Sequence, residues 1–214
     1  MSLAYTYTDP IIYYEYTYDT AKLAREAGIR NVLVTAGYIN EEPWIRLLKY
    51  IDAANIDLKG ITDDFYRDVC SATLKPVQNA LMVAKACGVL VEVTNLVVPT
   101  LNDKPEQIRE LSRWVRANLG DETPLHFSGF YPRYKMQHLP PTSLETLEAA
   151  REIAISEDLK YVYVGNVRSK EGENTYCPGC KKLLIERSGY TILRNELKDG
   201  CCPGCSKEIY GVWK

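Results

Sequence analysis

The sequence predicts an α/β fold carrying a small metal-binding appendage, and three observations lead there. Short β-type runs alternate with amphipathic helical stretches from residue 3 to residue 164, the punctuation of successive βαβ units. Helical stretches tend to end near a glycine or pass straight into the next strand-like run. Beyond them a Cys-Pro-Gly-Cys motif occurs twice, as Cys177-Pro178-Gly179-Cys180 and Cys202-Pro203-Gly204-Cys205, the pattern of a zinc-ribbon-like module.

Strands are expected at residues 3–7, 31–35, 54–58, 90–97, 124–130 and 160–165. A helix over residues 19–27 closes on Gly28. Another over residues 103–119 closes on Gly120 and carries Pro105 early, where proline suits a helix. The strands are mostly apolar, as expected when both faces of a parallel sheet are covered. Function is therefore expected at their C-terminal ends, as in other α/β barrels and open sheets. Four polar points lie there: Thr8-Asp9-Pro10, Thr35-Ala36-Gly37, Asp57-Leu58-Lys59-Gly60, and His126 with Gly129. Each alone reads as a satisfied turn or strand-end group, whereas their recurrence at successive strand ends points to a shared pocket. Period-2 alternation places Asp57 and Lys59 on one face. Such a lysine can bind a carboxylate or phosphate, or serve as a Schiff-base nucleophile if desolvated; a strand-end salt bridge is the plain alternative.

At 214 residues, 46% hydrophobic and 25% charged, the chain has material for one substantial core and an appendage. A net charge of -2 gives no global pull toward nucleic acid, and no nucleic-acid partner is expected. The longest apolar stretch, residues 89–98, is interrupted by Glu92, Thr94 and Asn95 and is too short to span a bilayer. Met1-Ser2-Leu3 leads directly into a strand-like run with no signal-peptide pattern, so the expected location is cytoplasmic.

Of seven cysteines, Cys70 and Cys87 stand alone in helical contexts and read as small buried hydrophobes. The repeated motif selects Cys177, Cys180, Cys202 and Cys205 as ligands, leaving Cys201 as a spare neighbouring thiol. Each Pro-Gly turn brings two thiolates to one ion, and four complete the closed tetrahedral shell of structural zinc. Iron or an auxiliary iron-sulfur cluster competes for the same ligands, while paired spacing disfavours disulfides. Between the pairs, Leu183-Leu184-Ile185 and Tyr190-Thr191-Ile192-Leu193 flank Ser188-Gly189 as a hairpin with too little core to stand without metal.

Several stretches together resemble the radical S-adenosylmethionine enzymes. They are Ala4-Tyr5-Thr6-Tyr7-Thr8-Asp9-Pro10 and residues 32–38, 54–60, 97–103, 125–131 and 161–167. The resemblance is to enzymes similar to the pyruvate formate-lyase activating enzyme and, more closely, to the radical enzyme of the AmmeMemoRadiSam system. It implies a partial TIM-like (βα) barrel over residues 1–165 and a four-cysteine module over residues 166–214. It also implies S-adenosylmethionine and a 4Fe-4S cluster as cofactors of the complete protein, with a 5′-deoxyadenosyl radical as the product of cofactor cleavage. Thr8 and Asp9 match the stretch that contacts the cofactor's amino group, with Asp9 where Glu is usual. Thr35 opens the match to a Thr-Asn-Gly turn in which Ala36 replaces the amide, and Val34 stands in place of an acidic ribose contact. Lys59 matches the lysine of an Asp-Leu-Lys strand and His126 a histidine on the sixth strand. Both belong to the cofactor site of activating enzymes.

The family's CxxxCxxC cluster loop occurs nowhere in the sequence. As the chain opens on what resembles the family's second strand, the expectation is a truncated or partial product lacking the first barrel unit, inactive alone and with no catalytic residue of its own. A protein substrate, typically a glycyl-radical protein, is implied by the activating enzymes. Two other classes stay open: a cluster-independent Schiff-base lyase using Lys59 with Asp57 or His126, and a noncatalytic zinc-ribbon binding module.

Overall fold

The computed structural model describes Met1 to Trp213. Six strands, β1 (Ser2–Tyr5), β2 (Arg30–Thr35), β3 (Ala53–Asp57), β4 (Leu90–Val97), β5 (Leu125–Gly129) and β6 (Val162–Gly165), follow chain order across one sheet. The pairs β1/β2, β2/β3, β3/β4 and β5/β6 are all parallel. The helices between them are α1 (Tyr14–Glu26), α2 (Glu41–Leu48), the short α3 (Asp63–Phe65), α4 (Leu74–Ala86), α5 (Pro105–Leu119) and α6 (Leu144–Ser156). The α/β class read from alternation is the observed one. Among the described residues no helix is long and apolar enough to cross a membrane.

By internal contacts the chain forms two compact units, Met1–Asn95 and the remainder from Leu96 onward, so the division falls inside β4. The boundary expected from sequence lies instead at the end of β6. In the first unit, Ala54, Ile56, Val91 and Val93 point to the buried side of the sheet, while Asn55, Asp57, Glu92 and Thr94 occupy the alternate, half-buried side. The expectation that both strand faces are covered is therefore corrected: one face is apolar and packed, and the other is a polar row. Burial of the apolar row stabilises the sheet by about 25 cal/mol per Å² removed from water.

Helix positions follow the same logic. The buried stripe of α4 is Leu74, Val77, Ala80, Leu81 and Ala84, and the indole N–H of the buried Trp44 on α2 donates to the Ala80 carbonyl at 2.9 Å. Asn31, fully buried at the start of β2, accepts from the Tyr5 hydroxyl at 2.8 Å and donates to the Ala21 and Tyr50 carbonyls at 2.8 and 2.9 Å. An amide there ties β1, α1 and β2 together without leaving a buried polar atom orphaned. The helix α5 has Pro105 at its start and ends at Gly120 (φ 97°). The isolated thiols depart from expectation. Cys70 is half-buried, and Cys87 is exposed because α4 stops one residue earlier and the chain turns at Gly88 (φ 79°).

The second unit continues past β6 into an antiparallel sheet of β7 (Thr175–Tyr176), β8 (Leu183–Ser188) and β9 (Thr191–Asn195). The expected hairpin is β8/β9, paired from Ile185–Asn195 to Ser188–Thr191. Its core is shared with the parallel sheet. Tyr161, just ahead of β6, packs with Cys177, Leu184, Ile185, Cys202 and Ile209, and its hydroxyl accepts from the Tyr210 N–H at 3.3 Å. Burial pushes that phenol up to about 12.

Candidate functional site

The loops at the C-terminal ends of β1 and β2 are joined by one carboxylate. Asp9 Oδ1 accepts from the Thr35 hydroxyl at 2.6 Å and from the Ile11 N–H at 3.2 Å, and Oδ2 accepts from the Ala36 N–H at 2.8 Å. Thr35 is buried and its oxygen in turn accepts from the Gly37 N–H at 3.1 Å. Residues read separately as site positions are thus bonded to each other, and the Asp9 carboxylate is turned onto the β2 turn. The neighbouring Thr8 is exposed. Its carbonyl, with that of Thr6, accepts from the Tyr13 hydroxyl at 3.3 and 3.2 Å.

A charge-assisted hydrogen bond contributes about 1.5–3 kcal/mol. Replacement of Asp9 by Ala should accordingly lower stability by about 2 kcal/mol, and Thr35→Val by less. Urea melts of the two single variants and the double variant should show clear non-additivity; simple addition of the losses would mean that the pair is not coupled.

At the end of β3 the expected pairing is present. The Lys59 ammonium lies 2.7 Å from Asp57 Oδ2, with both side chains about one-third exposed. One supporting residue, Tyr66, escaped the sequence reading. The Tyr66 hydroxyl accepts from the Lys59 N–H at 3.1 Å, and burial holds that hydroxyl above the usual phenol range. On the same polar row, Thr94 donates to Asn55 Oδ1 at 2.8 Å. Tyr66 lies in a π-helical segment, Tyr66–Cys70, and belongs to no motif that could have announced it, whereas Asn55 falls within the stretch 54–60 that carries the resemblance.

His126 belongs to the second unit. It is half-buried on β5, directly across from Tyr163 on β6, and the rings stack with centroids 5.0 Å apart at 22°. The Tyr163 hydroxyl lies 3.0 Å from Thr175 Oγ1, and the Arg187 guanidinium sits over its ring, 5.9 Å from the centroid. A histidine stacked on a fixed aromatic has its ring plane set before any ligand arrives.

The cysteine motifs form two matching knuckles. In one the Cys177 N–H donates to the Lys182 carbonyl at 2.8 Å and the Lys181 N–H to the Cys177 carbonyl at 2.9 Å. In the other Cys202 N–H reaches the Lys207 carbonyl at 2.9 Å and Ser206 N–H the Cys202 carbonyl at 2.8 Å. Lys181 and Ser206 both adopt positive φ, 62° and 58°. All four ligand sulfurs lie within 4.8 Å of one another, with Cys177–Cys205 at 3.5 Å and Cys180–Cys202 at 3.6 Å. A tetrahedral ion with metal–sulfur bonds of about 2.3 Å holds its sulfurs roughly 3.8 Å apart, so the four thiols suit a single ion. Cys201 is outside this group.

Proximity drives the thiols apart in acidity. Burial works against ionising Cys202, yet the N–H groups of Gly204 and Cys205 and the adjoining thiols outweigh it and bring the group down to about 7. At Cys205 the Lys207 N–H favours the thiolate, but hydrogen bonding with Cys177, burial and the remaining thiols push it up to about 11. Four thiols at one point do not all ionise without a counter-charge.

Comparison with known proteins places these features. An uncharacterized protein of Methanocaldococcus jannaschii is 51% identical over 209 residues, 97% of this chain and 62% of that protein. The pyruvate formate-lyase-activating enzyme of Clostridium pasteurianum is 31% identical over 102 residues, 48% of this chain and 42% of that enzyme. The chain thus spans less than two thirds of the length of either. Among solved structures, a domain of pyruvate-formate lyase-activating enzyme from Bacteroides vulgatus shares the fold, with TM-score 0.67 at 12% identity over 77% of this chain and 98% of that one. A radical SAM methyltransferase from Sphaerobacter thermophilus does so with TM-score 0.60 at 16% identity, over 77% of this chain and 49% of that one. The family model described as the Radical SAM superfamily matches residues 2–115, more than half of the sequence and the whole stretch holding the Asp9 clamp and the Asp57–Lys59 pair; the chain belongs to the Radical SAM superfamily.

Proposed function

We propose that this chain is the C-terminal part of a radical S-adenosylmethionine enzyme similar to the pyruvate formate-lyase activating enzymes. In this reading residues 1–165 form a partial barrel that binds S-adenosylmethionine, and residues 166–214 are a structural zinc module. The observation that carries the cofactor reading is the Asp9–Thr35 bond of 2.6 Å, which brings two separately inferred site positions into one cradle at the strand ends. Asp9 shapes that cradle, while the exposed Thr8 offers its hydroxyl to the cofactor's polar end. The Lys59 ammonium, oriented by Asp57 at 2.7 Å, supplies a cation for a carboxylate. To act instead as a Schiff-base amine it would first have to leave that ion pair. His126, whose ring plane is set by stacking on Tyr163, is the cofactor-binding residue that this reading assigns to the second unit. The sulfonium of S-adenosylmethionine is the source of the 5′-deoxyadenosyl radical.

The chain's own thiols do not fit the 4Fe-4S cluster that such chemistry requires. Four sulfurs within 4.8 Å of one another have the spacing for one ion, whereas that cluster needs thiolates on three separate irons and an open fourth. With no CxxxCxxC spacing in these 214 residues, the cluster ligands would have to come from outside them. Zinc is favoured at the knuckles because a closed four-thiolate tetrahedron is its structural coordination.

Titration calorimetry of the chain with S-adenosylmethionine should show weak, saturable binding. Lys59→Met should weaken it by about tenfold, the worth of one charge-assisted hydrogen bond. The 214-residue chain should release no 5′-deoxyadenosine under reducing conditions after iron and sulfide reconstitution. A form carrying a CxxxCxxC segment ahead of β1 should release it, and less so with His126→Ala. Turnover by the chain alone, or cofactor binding indifferent to Lys59, would overturn this reading.

A further inference from the structure

The second unit contains a cleft of about 700 Å³ that meets the cofactor reading only at Tyr163, the ring on which His126 stacks. It lies at the N-terminal approach to β6, among residues that precede and open that strand, rather than at a strand's C-terminal end. One wall is built by α6 and the chain leading into β6, including Arg151, Leu159 and Val162. The rest of the lining comes from the end of β7 and the first knuckle, including Tyr176, Pro178 and Lys181. The volume falls in the range of small-molecule sites.

The charges lining it do not cancel. Arg116 pairs with Asp158 at 3.2 Å, and Lys160 with Asp121 at 2.9 Å, so those cations are neutralised on the rim. Two more cations have no carboxylate partner among the described residues. Arg151 is half-buried and spends its Nε–H on the Val162 carbonyl at 3.0 Å, leaving its terminal guanidinium N–H groups. Lys181 stands on the knuckle, where its backbone N–H donates to the Cys177 carbonyl at 2.9 Å. Glu171 is the one lining acid outside those ion pairs. Between the cations the walls are aromatic and aliphatic: Leu159, Tyr161, Val162 and Tyr176.

We propose that this cleft binds a small organic anion with a ring-sized apolar body, its carboxylate held by Arg151 and Lys181, and that binding is linked to the metal in the knuckles. The anion meets a guanidinium that presents paired donors and an ammonium that acts as a point charge. Its apolar body covers the tyrosine and aliphatic walls. The link to metal follows from how the rest of the lining is made, because Tyr176, Pro178 and Lys181 take their places from the knuckle fold and the strand leading into it. Whatever orders the knuckle completes the site, and by reciprocity a ligand in the cleft favours the metal-bound state.

Naphthalene-2-carboxylate is a suitable probe, with naphthalene-2-carboxamide as its uncharged counterpart, each titrated calorimetrically into the metal-loaded chain. The carboxylate should bind saturably and the carboxamide about tenfold more weakly or worse, as expected for loss of a charge-assisted contact. Lys181→Gln, on an exposed side chain, should weaken the carboxylate about tenfold without changing thermal stability. Arg151→Gln should do the same to binding. Arg151→Lys, which keeps the charge, should recover part of the affinity and thereby separate a ligand contact from the structural bond to Val162. Saturating carboxylate should slow loss of the metal to a chelator. Equal binding of acid and amide, indifference to both Arg151→Gln and Lys181→Gln, or no saturation at millimolar probe would refute the site. A rate of metal loss unchanged by bound probe would refute the linkage.

Discussion

Replacing Cys177 or Cys202 with Ser, or stripping the metal with a strong chelator, should unfold the chain from β7 onward while the unit Met1–Asn95 keeps its structure. The module's buried side chains, Leu184, Ile185 and Ile209 with Tyr161, each contribute about 1.5–3 kcal/mol. Ordering a residue's backbone costs about 1–2 kcal/mol, and such a small apolar set cannot hold both knuckles and a hairpin. Structural zinc is worth about 10–16 kcal/mol in comparable small modules, which makes this the largest single effect expected in the chain. Metal analysis after anaerobic purification should return about one zinc per chain, as a single tetrahedral site requires. Abundant iron with acid-labile sulfide would defeat the assignment. Cys177 and Cys202 are buried and Cys180 and Cys205 exposed, so the first pair should be the more sensitive. Cys201→Ser should retain the metal, because its sulfur lies outside the cluster. Because Tyr161 is shared between this core and the approach to β6, its hydroxyl titration should fall from about 12 toward the ordinary phenol range when the module is lost.

Gly37→Val should cost about 3–5 kcal/mol, from a left-handed backbone and an overfilled core acting at one position. Gly37 has φ 66°, and a Cβ there would stand 2.7 Å from Ile56 Cγ2 and 3.7 Å from Ala80 Cβ. Ile56 is fully buried and has nowhere to go. The turn carrying Thr35 and Ala36 would be displaced instead, breaking their hydrogen bonds to Asp9 and weakening S-adenosylmethionine binding together with stability. Gly28 provides the control. Its φ is 72° and an added methyl would meet nothing within 4 Å, so Gly28→Ala should cost only the conformational share, about 1 kcal/mol. Equal losses at the two positions in denaturant melts would show that crowding against Ile56 plays no part.

Much of the parallel sheet was legible because its signals are local. The run expected at residues 90–97 is β4 itself, where alternation of buried and half-buried residues spans the whole strand. The first strand ends at Tyr5, two residues early, because Tyr7 takes a positive φ of 38° and leaves the ladder. The first helix starts at Tyr14, well before residue 19. There Tyr14 and Tyr18 stack at 6.0 Å and Tyr18 meets Tyr50 edge-on at 5.3 Å, so tertiary packing extends a helix through a tyrosine-rich segment of modest intrinsic propensity. The two knuckles were legible because four cysteines in a repeated motif are a chemical pattern that needs no knowledge of packing.

By itself, then, the sequence determined the alternation of strands and helices, the four cysteines that cluster and the places of Thr8, Asp9, Thr35 and Lys59 at or just past strand ends, whereas His126, expected at a strand's C-terminal end, is the second residue of β5. Tertiary structure alone decided what those residues touch. The Asp9 carboxylate turns onto a hydroxyl 26 residues away, His126 is stacked on Tyr163, and Tyr161 joins the cysteine core to meet a backbone N–H 49 residues on. The cleft of Arg151 and Lys181 likewise exists only where α6 and a knuckle come together. The physical reason is one of range: hydrophobic period and turn chemistry act over a few residues and leave a trace in the chain, whereas a contact closed over tens of residues depends on how whole elements pack.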